Sequence, residues 1–340
     1  MVHAGIDVSA KTLHVAAKRD KGEVRYGVFD NTLAGHKKLA KFIRGRSRSV
    51  RVCVEATGLY SLDLSLHLSA NPHFEVMVVN PRAAKHFGEA QFKRSKDDTI
   101  DSELLLAFVQ RMAVVRWMDL QRWTPPEPVF LVLRAITRRM SACIDQGARE
   151  KNRLHAAKAS KTTPQCVLDD IADNIAQLKA RALALEKEAE GLIKQHEWLK
   201  KHYRLLVSVA GIARRSGVRI LGELVLLDPE MTSNQVVAYA GLDVRRCKSG
   251  TSIHKKPRIS KVGNARLRAG LYMPAMNAIT HCVEARVFYD RLVARGKVGL
   301  QPMVAVMRKL LVAIWNMFGT ETVFDASRFC GPVQTAAKAA

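Results

Sequence analysis

Four carboxylates stand where an acid has consequences. Asp7 ends an apolar run in "GIDVS", Glu55 ends another in "VCVEATG", and Asp98 and Asp101 open the apolar-rich stretch "DDTIDSELLLAF". Three residues apart on a helix, Asp98 and Asp101 share a face. If the two apolar runs are strands of one sheet, acids at their carboxyl ends fall where such sheets gather ligands. Four acids brought together repel one another unless divalent cations neutralise them. An all-oxygen donor set suits Mg²⁺ or Mn²⁺, which activates a nucleophile and stabilises the leaving oxygen in phosphodiester cleavage. Asp7, Glu55, Asp98 and Asp101 are therefore the expected metal ligands. Each also has a plainer use. Asp7 could open a turn before Ser9, Glu55 could belong to a cap with Thr57 and Gly58, and Asp97 or Asp98 could cap the following helix.

A second constellation runs from Arg245 to Arg268, "RRCKSGTSIHKKPRISKVGNARLR". It holds nine bases and no acid: Arg245, Arg246, Lys248, Lys255, Lys256, Arg258, Lys261, Arg266 and Arg268. Aromatic residues are scarce here, so contact with a phosphate backbone is expected rather than base stacking. Within "KSGTS", a stretch that reads as a flexible loop, Ser249 could be presented to a phosphate. A serine hydroxyl is a poor nucleophile at neutral pH and needs a base or a metal to activate it. The alternative is an ordinary loop serine beside a phosphate-binding surface.

The elements that must position these groups are legible in outline. "HAGIDVS", "TLHVAAK" and "GEVRYGVFD" read as three strands, the last two joined by the turn "RDKG". "GHKKLAKFI" has helical spacing, "VRVCVEATG" is a buried strand, "LYSLDLSLHLSA" a helix, and "FEVMVVNP" a strand stopped by Pro81. This order predicts a mixed sheet covered by helices. A helix over "TIDSELLLAFVQR" follows, with acids in its first turn to suit the macrodipole. "WTPPEP" can be neither helix nor central strand, and marks a boundary. Beyond it the strand signal disappears. A long basic helix from Val129 and a second, more than thirty residues from Leu168 to Lys201, suggest a helical hairpin or coiled-coil arm. The alternative is a packed bundle within one domain. Gly211, between two apolar runs in "LLVSVAGIARRSGVRILGEL", resembles the turn of a helix-hairpin-helix. The fold class expected is α/β plus α, divided into 1–122 (catalytic), 123–202 (helical arm), 203–330 (C-terminal domain with the serine) and a tail at 331–340.

Charge supports this reading. The 340 residues carry 55 Lys plus Arg against 31 Asp plus Glu, a formal charge of +24. Such a surplus points to a polyanion, nucleic acid ahead of a membrane surface. No uninterrupted apolar run approaches the roughly 20 residues that cross a bilayer. "MVAVMRKLLVAIW" comes nearest, with Arg308 and Lys309 in its middle, and no membrane partner is expected. The N-terminus lacks the pattern of a signal peptide. Six scattered cysteines without a CxxC pair argue against zinc and for reduced thiols in a cytoplasm.

With these stretches in view, the chain resembles the DEDD transposases of the insertion sequence 110 family, relatives of the Piv DNA invertases. "GIDVSAKTLHV", "VCVEATGLY" and "KDDTIDSELLLAF" carry the acids, and "AYAGLDVRRCKSGTS", "RISKVGNARLRAGLYMPAM" and "FDASR" continue the match over nearly the whole length. The resemblance implies an RNase H-like, RuvC-like N-terminal domain with Asp7, Glu55, Asp98 and Asp101 as its catalytic tetrad. It implies a C-terminal transposase domain whose catalytic serine maps onto Ser249 and becomes transiently linked to DNA. Also implied are donor and target DNA, a structured bridge RNA that pairs with both, and a dimer assembling to a tetramer partly through the arm. One subunit's tetrad would complete the site with another's serine. A prokaryotic cytoplasm, at the nucleoid when DNA is bound, is the expected location. The chain departs from the pattern at Asp97, where Thr is expected, at Ser102, where Ala is usual, and at the basic "IHKKPRISK". Asp97 and Asp98 both remain candidate ligands, and the spacing to Asp101 favours Asp98. Two other functions compete with a recombinase: a RuvC-like nuclease using metal-activated water, and a non-catalytic nucleic-acid-binding protein.

Overall fold

A computed structural model describes residues 1–91, 97–114, 122–249 and 253–327. It divides into two compact units, Met1–Pro125 and Pro126–Ala340.

In the first unit, β1 (Val2–Val8), β2 (Thr12–Arg19) and β3 (Val24–Asp30) form an antiparallel meander. Then come α1 (Leu33–Arg44), β4 (Val50–Glu55), α2 (Leu62–Ser69), β5 (Phe74–Val79), α3 (Pro81–Ala90) and α4 (Asp98–Val114). The sheet order is β3-β2-β1-β4-β5, with β1, β4 and β5 parallel. Only β2 runs against the others, which makes the sheet mixed, as the order of elements in the sequence predicts.

Alternation along the strands builds two cores. Val2, Ala4, Ile6 and Val8 of β1 and Val50, Val52 and Val54 of β4 pack with Leu39 and Ile43 of α1 and Leu64 and Leu68 of α2. The opposite face packs Ala16, Cys53, Met77 and Val79 against Leu105, Leu106, Phe108 and Val109 of α4 and Ala84 of α3. Period-two burial thus assigns every odd position of β1 and β4 to the α4 side. Trp123 donates its backbone N–H to the Val76 carbonyl at 2.8 Å, and Pro125 and Pro126 follow without regular structure.

The second unit begins with two long helices, α5 (Pro128–Ala159) and α6 (Gln165–Gln195). α6 buries Ile171, Leu178, Ala182, Glu186, Ala189 and Ile193, a three-, four- and seven-residue spacing that keeps one stripe covered. The sequence predicts one helix through Lys201. Instead the chain breaks at His196, which leaves helical geometry and accepts the Leu199 N–H to cap α7 (Glu197–Ser208). α8 (Arg214–Leu224), α9 (Ser233–Tyr239), α10 (Ala265–His281), α11 (Val283–Ala294) and α12 (Leu300–Thr320) complete the helices.

The loss of strand signal after residue 128 is corrected by a hairpin, β6 (Val244–Ser249) and β7 (Ile253–Ile259). Charged residues in both strands conceal its pattern in the sequence. α12 is long and apolar enough to cross a membrane, with a mean hydropathy of 1.3. It is nevertheless a packed helix: Val306, Met307, Leu310, Leu311, Ile314 and Met317 sit in the core with Leu271, Ala275 and Ala278 of α10. At Gly211 the chain takes φ +91°, and a Cβ there would stand 2.4 Å from the Pro274 carbonyl oxygen. Close packing on α10 therefore demands this glycine.

Candidate active site

Asp7 and Glu55 are brought together by strand register. β1 and β4 run parallel with Val2 beside Val50 and Ile6 beside Val54, and Asp7 and Glu55 are the next residues along the two strands. Both are odd positions, on the α4 side of the sheet. α4 can lie close because β1 carries Gly5 under it: a Cβ there would meet the Ser102 carbonyl oxygen and the Leu106 nitrogen, each at 2.2 Å. Helix and strand in such contact place the first turn of α4, with Asp98 and Asp101, over the carboxyl end of β1.

Electrostatics reports the same neighbourhood. Asp7 is half-buried, and its carboxyl is pushed above the ordinary carboxylate range by burial first, then by the nearby charges of Asp101 and Asp98. Asp98 and Asp101 thus lie close enough to Asp7 to repel its charge. Asp97 precedes α4, is exposed, and its carbonyl accepts the Asp101 N–H at 2.9 Å, the opening bond of the helix.

His14 is a member of this neighbourhood that the sequence analysis missed. It lies opposite Asp7 in the β1–β2 register, and its Nε2 stands 3.4 Å from Asp98 Oδ2. Hairpin alternation was the available signal, since the residue facing Asp7 must share its side of the sheet. On β4, Cys53 shares the Glu55 face and is fully buried. Burial, then the Glu55 charge, pushes its thiol up to about 12, which keeps it protonated and inert. Cys143 and Cys282 are also buried free thiols, while Cys166 is exposed.

Among the described residues, no three His, Cys, Asp or Glu side chains already stand in a metal-holding arrangement. The donor set still fits a hard divalent cation, because it is all carboxylate oxygen and sets the like charges of Asp101 and Asp98 near a partly buried Asp7.

In the second unit, Ser249 is the last residue of β6 and pairs with Ile253 across the hairpin end. The side chains of Arg246, Lys248, Ser249, Lys255 and Lys256, and the whole of Ser252, lie outside the described residues. Of the other bases, Arg245 and Arg258 face each other across the hairpin and are exposed, as are Lys261 and Arg266. Arg268 is half-buried and donates to the Ala240 carbonyl at 2.8 Å. The hairpin base is fastened by the Ser260 N–H on the Asp243 carbonyl at 2.9 Å and by a short Ser260 hydroxyl bond to the Asp243 carboxylate.

Beside it lies a buried polar network that no motif announced. Glu223 of α8 accepts two bonds from Arg138 of α5, both at 2.9 Å, and a third from Asn264 at 2.7 Å. Asn264 in turn caps α10, accepting the Arg266 and Leu267 N–H groups.

Comparison with known proteins agrees with both halves. Residues 4–157 match the model for the DEDD transposase of IS110, and residues 203–290 match that for the transposase IS116/IS110/IS902 family. The pilin gene-inverting protein of Moraxella bovis is 26% identical over 301 residues, covering 87% of this chain and 89% of that protein. The corresponding protein of Moraxella lacunata has the same identity and coverage. The insertion element IS110 43.6 kDa protein of Streptomyces coelicolor is 26% identical over 175 residues, 52% of this chain and 42% of that protein. These findings define the class: an enzyme of DNA transposition and recombination, acting on DNA. The chain belongs to the IS110 transposase family, and its DEDD domain implies dependence on a divalent metal.

Proposed function

We propose that the protein cuts and rejoins the DNA of an insertion sequence, with Asp7, Glu55, Asp98 and Asp101 holding Mg²⁺ or Mn²⁺ and Ser249 as nucleophile. The observation that carries this reading is the parallel β1–β4 register, ending at Ile6 beside Val54, with Asp7 and Glu55 next along the two strands at the sheet face that α4 covers. A bound divalent cation supplies Lewis-acid stabilisation of charge on the phosphoryl and leaving oxygens. The four carboxylates fix where that charge is met, and His14 orients Asp98. The Ser249 oxygen gives up its proton and attacks phosphorus, the P–O bond to the leaving strand breaks, and that oxygen takes up a proton and departs as a free DNA hydroxyl, leaving a covalent seryl phosphodiester. Attack on that linkage by another strand's hydroxyl restores the serine and completes the exchange.

In this proposal, residues 203–330 act as the serine-bearing domain and residues 123–202 as an arm that helps join subunits, with dimers assembling to a tetramer. One subunit's acids then serve another's serine. A bridge RNA supplies the pairing that chooses donor and target, while Arg245, Arg246, Lys248, Lys255, Lys256, Arg258, Lys261, Arg266 and Arg268 grip phosphates. The work takes place in a prokaryotic cytoplasm, at the nucleoid. Mass spectrometry of protein incubated with DNA tests the nucleophile: an adduct on the peptide containing Ser249, absent from Ser249→Ala and kept in Ser252→Ala, is expected. Cleavage to hydrolysed ends by Ser249→Ala would instead make the protein a nuclease using water. Sequencing RNA that copurifies with the protein, then recombining DNAs matched to its loops, tests the guide.

A further inference from the structure

We propose that the first unit carries a second nucleic-acid surface, formed by α1 and the turn after it, on the side of the sheet away from the carboxylates. It would hold the phosphodiester backbone of a nucleic-acid segment other than the one at the acids. This inference needs only a polyanionic partner and does not rest on the roles of the tetrad or Ser249.

Between Thr32 and Arg51 the chain has seven bases and no acid. Lys37, Lys41 and Arg44 recur at four- and three-residue steps, so they line one stripe of α1, and Lys38 stands beside it. Gly35, His36, Leu39 and Ile43 turn the opposite stripe into the core. Arg46 and Arg48 extend the surface through a folded turn, in which Arg44 Nε donates to the Ser47 carbonyl and the Ser47 hydroxyl to that of Ser49. Lys37, Lys38, Lys41, Arg46 and Arg48 are exposed, and Arg44 is half-buried.

The fold has little use for this charge. Like charges four apart on a helix destabilise it. The macrodipole favours bases only in the last turn, which accounts for Lys41 and Arg44. Lys37 and Lys38 lie in the middle of the helix, where the macrodipole gives a base no advantage. Nearby bases that do serve the fold are visibly engaged. Arg51 pairs with Glu75 at 2.9 Å, and Arg25 donates to the Phe42 carbonyl at 3.2 Å while lying over the Phe42 ring. Among the described residues, the six of the surface make no ion pair with a carboxylate. A surface of bases without carboxylate partners, spread over a helix and its turn, has the chemistry of phosphate-backbone contact.

DNA and structured RNA share that chemistry, so both are probes. Full-length Lys37→Gln/Lys41→Gln/Arg46→Gln/Arg48→Gln would be titrated with a mixed-sequence DNA duplex and with an RNA hairpin across a series of salt concentrations. The expected result is binding about tenfold weaker at low salt. The log–log salt slope should be shallower by about 0.9 for each phosphate no longer neutralised on duplex DNA, or about 0.7 on single strands. A change with one probe alone identifies that nucleic acid as the partner. The charge-preserving Lys37→Arg/Lys41→Arg/Arg46→Lys/Arg48→Lys protein should keep the parental slope, which separates phosphate binding from folding. An unchanged slope with both probes in the Gln variant would overturn the proposal.

Discussion

Gly5 of β1 and Ser102 of α4 touch so closely that a methyl group on Gly5 would stand 2.2 Å from the Ser102 carbonyl oxygen. This contact sets the distance between the strand that carries Asp7 and the helix that carries Asp98 and Asp101. Gly5→Ala is therefore expected to lift α4, cost about 1–3 kcal/mol as overpacking does, and abolish DNA cleavage. Ser102→Ala removes only a hydroxyl bonded to the Thr99 carbonyl at 2.8 Å, and should cost about 1 kcal/mol with cleavage retained. Thermal melting and a strand-cleavage assay on both proteins check the contrast.

His14 should act through Asp98. Outer contacts that orient a ligand are worth about 10–100-fold in metal affinity. His14→Ala is expected to raise the Mg²⁺ concentration for half-maximal cleavage by about tenfold and leave DNA binding unchanged. A Mg²⁺ titration of both proteins measures this, and coincident curves would remove His14 from the site.

Glu223 ties α5, α8 and the α10 cap together. Burial acts to raise its carboxyl, but the Arg138 and Asn264 hydrogen bonds outweigh it and hold the group below the ordinary 4.5. A depressed folded value means that the stabilisation is complete above the ordinary value and is lost as pH falls through the folded one. Glu223→Gln is expected to cost roughly 3 kcal/mol at neutral pH, because Arg138 loses its buried counter-charge. Its melting temperature should also fall less than the parent's on acidification below the ordinary 4.5, where the parent loses this group's stabilisation.

Gly211→Ala faces both a left-handed backbone and the Pro274 carbonyl. A loss of at least about 2 kcal/mol is expected in chemical denaturation.

Much of the first unit was legible because β1, β4 and β5 are apolar runs, the first two carrying Asp7 and Glu55 at their carboxyl ends. "GIDVS" and "VCVEATG" give the position of Asp7 and Glu55 along their strands, though only the pairing of Ile6 with Val54 shows that those strands are neighbours in parallel register. The hairpin bearing Ser249 was not legible as strands, since "VRRCKS" and "IHKKPRI" lack an apolar alternation. The break at His196 was hidden because apolar spacing continues through Trp198 and Leu199. Glu223, Arg138 and Asn264 lie far apart in sequence, and a network of single polar residues leaves no periodic trace. His14 was readable in principle, from the pairing that a tight β1–β2 turn imposes on Asp7.

The most direct test of the central claim is Mg²⁺-dependent cleavage of DNA by Asp7→Asn, Glu55→Gln, Asp98→Asn and Asp101→Asn, each with its DNA affinity measured in parallel. The account predicts that all four bind DNA like the parent and cleave it at least about 100-fold more slowly, the scale expected when a preorganised catalytic group is removed. Parental cleavage by any one of them, above all Glu55→Gln, would contradict a single site built from the four carboxylates.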